Sequence, residues 1–243
     1  MTPMKNYRLP IARLAFLLSA YLLAHIAPAQ STEYALQLNS GLFWFAGESA
    51  NSYSQINQSR FAGGNYTNRP YGARPALSAG VSVQWQRITA RHLVLGLNLG
   101  AEWLRSKVLI DKINGREGNT VAATGQTIYR HSFITAHPHL GWRVPVGKVA
   151  IDVTAGPELG YNLGSRERGE ATGAAATVTT DKDRDPSLDI DLRLRGGAAV
   201  SYRRYGGYVG YSYGVSNYMG GYDGGSFEAN ARLLRFGLTY RLN

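Results

Sequence analysis

Two histidines one residue apart, His137 and His139, could hold a metal ion. In an extended strand they share a face, and imidazole is a common metal ligand. Such a site needs three or four ligands, and no third stands nearby in the sequence. Hydrogen-bonded structural histidines are therefore expected. The run Asp181-Lys182-Asp183-Arg184-Asp185 opens like a calcium loop. Its sixth position is Pro186, where glycine is required, and its twelfth is Leu192, where a bidentate glutamate is required. It reads as a solvated loop, at most a weak surface cation site. His131 and Ser132 could pair as base and nucleophile. Adjacent residues of a strand point to opposite faces, so they do not meet directly. The sequence thus offers no catalytic, cofactor-binding or metal-binding residues, and a non-enzymatic protein is expected.

Ten of the remaining charged groups fall in segments of two-residue alternation. Glu102, Asp152, Glu158, Asp189 and Asp191, with Arg143, Arg193, Arg195, Arg235 and Arg241, alternate with apolar residues. The clearest pattern runs from 93 to 103, where Leu93, Leu95, Leu97, Leu99, Ala101 and Trp103 oppose Val94, Gly96, Asn98, Gly100 and Glu102. This is the two-residue period of a β-strand with one apolar face. Similar segments cover about 34–45, 77–86, 133–143, 149–163, 188–202, 207–216 and 234–242, which makes eight strands.

Alternation does not say which face is outside. The face opposite the leucines is rich in Gly, Ala, Ser and Asn, which suits a crowded lumen rather than a water-facing exterior. Aromatics in the apolar phase close each segment: Trp85, Trp142, Tyr202 and Tyr240 toward short turns, Trp44, Trp103, Tyr161 and Tyr213 toward long loops. They form two interfacial girdles. The expected fold is all-β, an eight-stranded antiparallel up-and-down transmembrane β-barrel. Leucines face lipid, and the opposed charges form an ion-pair network that plugs the lumen. Short turns near 87–91, 144–148 and 203–206 alternate with polar loops near 46–76, 105–132, 164–187 and 217–230. Long loops belong outside the cell and short turns in the periplasm. Pro138 and Pro157 interrupt the pattern and predict a local bulge or kink where the fourth and fifth strands meet.

Residues 1–29 read as a signal peptide: Lys5, Arg8 and Arg13, an apolar run from Leu14 to Ala27, then Ala27-Pro28-Ala29. Residues 30–243 form the barrel domain. The leader carries no acidic residue, and the chain beyond it keeps a basic surplus, out of 26 basic and 16 acidic residues in all. In an exported chain with scattered basic groups, the counter-charge expected is outer-membrane lipid and lipopolysaccharide, not nucleic acid. Cysteine is absent, so disulfides and thiolate sites are excluded.

The stretches Pro138-His139-Leu140 and Gly156-Pro157-Glu158-Leu159-Gly160-Tyr161 resemble the middle of the PorT-like outer-membrane β-barrel family. Tyr211-Ser212-Tyr213-Gly214-Val215-Ser216-Asn217 and Gly237-Leu238-Thr239-Tyr240-Arg241-Leu242 resemble its last two strands. The resemblance implies an eight-stranded outer-membrane barrel; one member type serves secretion and surface anchoring, and it assigns no functional residues. The expected role is structural, adhesive or secretion-assembly, in a monomer of the bacterial outer membrane, with other envelope proteins as candidate partners. The alternatives are a narrow pore for small solutes and a lipid-modifying enzyme. Loop residues Tyr53, Arg60, Phe61, Tyr66, Arg69 and Tyr71, then Lys107, Lys112 and Arg116, then Tyr218 and Tyr222, are the candidate recognition groups.

Overall fold

A computed structural model describes residues 29–60, 64–185, 188–220 and 227–243. The leader up to residue 28 lies outside the described residues, as do Phe61, Pro186 and Tyr222. The strands are β1 (Ala29–Ala46), β2 (Tyr53–Asn57), β3 (Tyr66–Thr67), β4 (Arg74–Thr89), β5 (Leu93–Asn114), β6 (Thr120–Val146), β7 (Val149–Gly173), β8 (Thr177–Arg184), β9 (Ile190–Tyr202), β10 (Tyr205–Asn217) and β11 (Asn230–Arg241).

Eight of them close a ring in the order β1, β4, β5, β6, β7, β9, β10, β11, each antiparallel to the next. Closure is visible at Leu38, which faces Val81 on one side and Leu238 on the other. Leu38, Leu238, Leu194, Leu140 and Val153 are exposed on the outside, while Gln37, Asn98, Glu158, Arg193 and Arg235 are buried inside. A continuous apolar exterior between aromatic rims is the surface of a transmembrane barrel.

The structure corrects the loops. Residues 105–132 and 164–187 are largely strand, because β5, β6 and β7 run on beyond the barrel rim. Above Trp103 the polarity of the two faces inverts. Arg105 and Arg130 now point outward, while Leu104, Val108, Ile110 and Tyr129 are buried on the inner side. Lipid demands an apolar outside; water demands a polar one, and the strand obeys each in turn. At Gly164, β7 exchanges β9 for β8, and above Lys107 β5 exchanges β4 for β2. The barrel thereby opens into an outer sheet of β3, β2, β5, β6, β7 and β8.

The two prolines make a gap without a bulge. Pairing of β6 with β7 lapses between Ala136↔Leu159 and Leu140↔Ala155 and resumes in the same register. That register sets Pro138 opposite Pro157, so both missing N–H groups fall in one place. The freed carbonyl of Pro157 accepts from His137 Nδ1 at 2.9 Å, and the carbonyl of His137 accepts from His139 Nδ1 at 3.2 Å. The register irregularity of this strand pair lies instead between Ser132 and Phe133, across from Leu163.

Candidate functional site

The lumen carries two ionic layers. In the lower layer, beside the short turns, Arg143 binds Glu33 (Nη1 to Oε1, 2.7 Å) and Asp152 (Nε to Oδ1, 2.6 Å), while Arg241 Nη2 lies 3.1 Å from Glu33. Gln86 donates to Glu33 at 2.7 Å. In the upper layer Arg235 binds Glu102 and Glu158, each at 2.8 Å. Arg193 binds Glu158 at 2.9 Å and Asp191 at 2.7 Å, and Arg195 reaches Glu158 at 3.3 Å. Tyr218 donates its hydroxyl to Asp191 at 2.6 Å.

Of the ten charged partners, the sequence therefore named nine correctly and missed one. Asp189 is exposed and belongs to neither layer, because β9 begins at Ile190. Glu33 takes its place; it stands one position before Tyr34, where the readable alternation begins. Gln37, Asn39, Ser82, Asn98, His137 and His139 fill the interval between the layers. The voids among them and along the lumen wall measure about 30, 50 and 10 Å³, room for a few waters at most.

An aromatic lid caps the upper layer. Phe43, Phe45, Tyr71, Leu104, Tyr129, Phe133, Tyr218 and Leu233 pack together, and Arg193 stacks 4.9 Å from the Phe133 ring. Tyr71 and Tyr218 are therefore packed into the lid rather than exposed as expected. His131 sits inside this lid, 4.3 Å from Tyr129 and 5.7 Å from Tyr218 between ring centroids. Its Nδ1 is 2.8 Å from Ser165 Oγ, a pairing hidden in the sequence because the two stand on paired strands. Both are buried, and Asn162 Nδ2 also donates to Ser165 Oγ at 3.2 Å. Within the lid the contact between His131 and Ser165 ties β6 to β7.

The outer sheet has its own core of Ile56, Val108, Ile110, Ile113, Ala171 and Val178. Glu167, fully buried, ties it together. Its carboxylate accepts from the Thr67 N–H (2.9 Å), Thr180 Oγ1 (2.6 Å) and Arg184 Nε (2.8 Å). Glu167→Ala is expected to cost about 1–3 kcal/mol of local stability by orphaning these donors. Amide exchange in Thr177–Arg184 should accelerate while β9 to β11 stay protected, and unchanged exchange would refute the tie.

Between lid and outer sheet lies a cup of about 560 Å³, whose lining includes Arg69, Tyr71, Lys182 and Arg184 together with the acids Glu48, Asp183 and Asp185. Its size is that of a small-ligand site. The run that opens like a calcium loop forms part of its wall. Residues 181–184 belong to β8; Lys182, Asp183, Arg184 and the following Asp185 border the cup, while Asp181 pairs with Arg166 at 2.6 Å. Hydrogen bonding from Arg166 holds the Asp181 carboxyl below its ordinary value. Of the loop groups expected to recognise a ligand, Arg69 and Tyr71 line the cup directly. Tyr66 is exposed beside the cup's cations, with Lys182 5.9 Å and Arg184 5.7 Å from its ring.

No family model and no curated protein matches the sequence. Among solved structures, a major outer membrane protein from Thermus thermophilus is 15% identical with a TM-score of 0.39, covering 88% of this chain and 100% of that one. Ail, the attachment invasion locus protein of Yersinia pestis, was solved in complex with the heparin analogue sucrose octasulfate. It is 11% identical with a TM-score of 0.33, covering 87% and 97%. Neisserial surface protein A is 10% identical with a TM-score of 0.33, covering 87% and 99%.

Proposed function

We propose that this chain is a non-enzymatic, monomeric barrel of the bacterial outer membrane that presents a folded extracellular platform for recognition, in adhesion or in assembly of an envelope system. One observation carries the reading: the lumen is closed by two ionic layers and an aromatic lid, while the strands continue outward into a sheet with a preformed cup. An eight-stranded barrel has an interior that side chains fill, so the built surface above the bilayer is where a partner is met. The resemblance to PorT-like proteins agrees with an assembly role, and residues 1–29 supply the export signal this location needs.

The test is crosslinking from intact cells. The wild-type chain should capture an envelope or surface partner through residues around the cup, and Arg69→Ala with Lys182→Ala should abolish the adduct. Capture that is indifferent to these changes would contradict the reading. In planar bilayers the reconstituted chain should show no stable conductance; a steady large conductance would favour the pore alternative.

A further inference from the structure

The outward face just above the outer aromatic girdle carries arginines in a row. Arg105 on β5 stands directly opposite Arg130 on β6, and Arg130 directly opposite Arg166 on β7. Trp103, exposed on the same face of β5, lies two residues toward the bilayer from Arg105. The next row outward adds Lys107 and Arg168, with Arg74 of β4 opposite Lys107. Cross-strand partners have Cβ atoms about 4.5–5.5 Å apart, and like charges so placed repel. A row of three spans roughly 10 Å at strand spacing.

The row is neutralised at one end alone. Arg166 binds Asp181 at 2.6 Å and Asp183 at 3.5 Å, and Arg168 lies 3.2 Å from Asp181. Arg105 donates through Nε to the carbonyl of Leu77 at 2.6 Å, which fixes its stem along the barrel wall. Among the described residues, Arg105, Lys107 and Arg130 have no acidic partner. Arg74 rests on the Tyr53 ring at 5.4 Å, and its buried Nε is without a hydrogen-bond partner. The acids Asp111 and Glu170 stand four residues farther out than Lys107 and Arg166, about 13 Å along the strands. An outward cationic row at the headgroup level, kept despite its self-repulsion, calls for an anion supplied by the leaflet. Guanidinium groups in register suit phosphate oxygens.

We propose that the row Arg105, Arg130 and Arg166, flanked by Lys107 and Arg74, binds the phosphate groups of a phosphorylated glycolipid in the outer leaflet. This rests on the outer-membrane reading above. The whole mature chain in phosphatidylcholine nanodiscs, offered bisphosphorylated lipid A, should retain it in native mass spectrometry. Arg105→Gln with Arg130→Gln should weaken retention about tenfold or more, the loss of at least one charge-assisted contact. Lys148→Gln, in the opposite turn, should leave retention unchanged. Dephosphorylated lipid A should not be retained, and millimolar inorganic phosphate should not displace the glycolipid. The glutamine variants relieve like-charge repulsion and should keep the heat-dependent gel shift of a folded barrel; Arg130→Gln alone serves if the pair does not fold. Equal retention by the variants or of dephosphorylated lipid A, or displacement by free phosphate, overturns the proposal. An inserted barrel indifferent to phosphate leaves the membrane reading intact, whereas a chain that never inserts overturns both.

Discussion

Replacing Arg235 with alanine is expected to destabilise the folded barrel by about 3–5 kcal/mol, which is the scale for breaking a buried ion pair from one side. Arg235 is 1% exposed and joins Glu102 to Glu158 with 2.8 Å contacts to each. Its loss leaves two carboxylates in a lumen with little room for water. Arg193 and Arg195 still serve Glu158, but Glu102 keeps Arg193 alone at 3.6 Å. Urea unfolding in lipid vesicles measures the effect. The same layer predicts a rescue: Glu102→Gln in the Arg235→Ala background removes one orphaned charge and should recover part of the loss. A deletion cost under about 1 kcal/mol would mean that water reaches the cluster as it reaches surface pairs.

The second large effect belongs to the outer face. Leu38 is 66% exposed and lies midway along β1 between Tyr34 and Trp44. In water, an exposed leucine changes to arginine with a stability change within about 0.5 kcal/mol. At the midplane of a bilayer the same change costs about 2–4 kcal/mol, falling toward zero near the interfaces. Leu38→Arg should therefore destabilise the vesicle-embedded barrel strongly. Leu242→Arg, past the Tyr240 girdle, should do so weakly, and equal small effects at both positions would argue for a water-facing exterior.

The barrel was legible because one physical rule, lipid outside and small polar groups inside, repeats in every strand. The outer sheet was hidden by the same rule. Arg105, Lys107 and Arg130 look like loop residues to a reader expecting leucines outward, although Leu104, Val108 and Ile110 continue the inner phase without a break. The roles of His137 and His139 depend on register: their bonds repair a gap that exists because Pro138 faces Pro157. Spacing along one strand carries no such information. The cup was illegible for a related reason, since Glu48, Arg69, Tyr129 and Lys182 come from segments far apart in sequence. Asp189 was misplaced by extending the side-chain alternation past Ile190: its carbonyl still accepts from the Asn162 N–H of β7 at 2.9 Å, but it lies outside β9 and its side chain is exposed.

Single-tryptophan variants in bilayers test the central claim most directly, because the two girdles fix both insertion and depth. Trp44 and Trp103 should mark the outer interface, Trp85 and Trp142 the inner one. Each is expected to be quenched most by lipids brominated near the glycerol level and less by lipids brominated at the chain ends. In sealed vesicles of one orientation, an impermeant aqueous quencher should distinguish Trp44 and Trp103 from Trp85 and Trp142. Equal quenching of all four by the aqueous agent, with none from bromolipid at any depth, would contradict a membrane-embedded barrel.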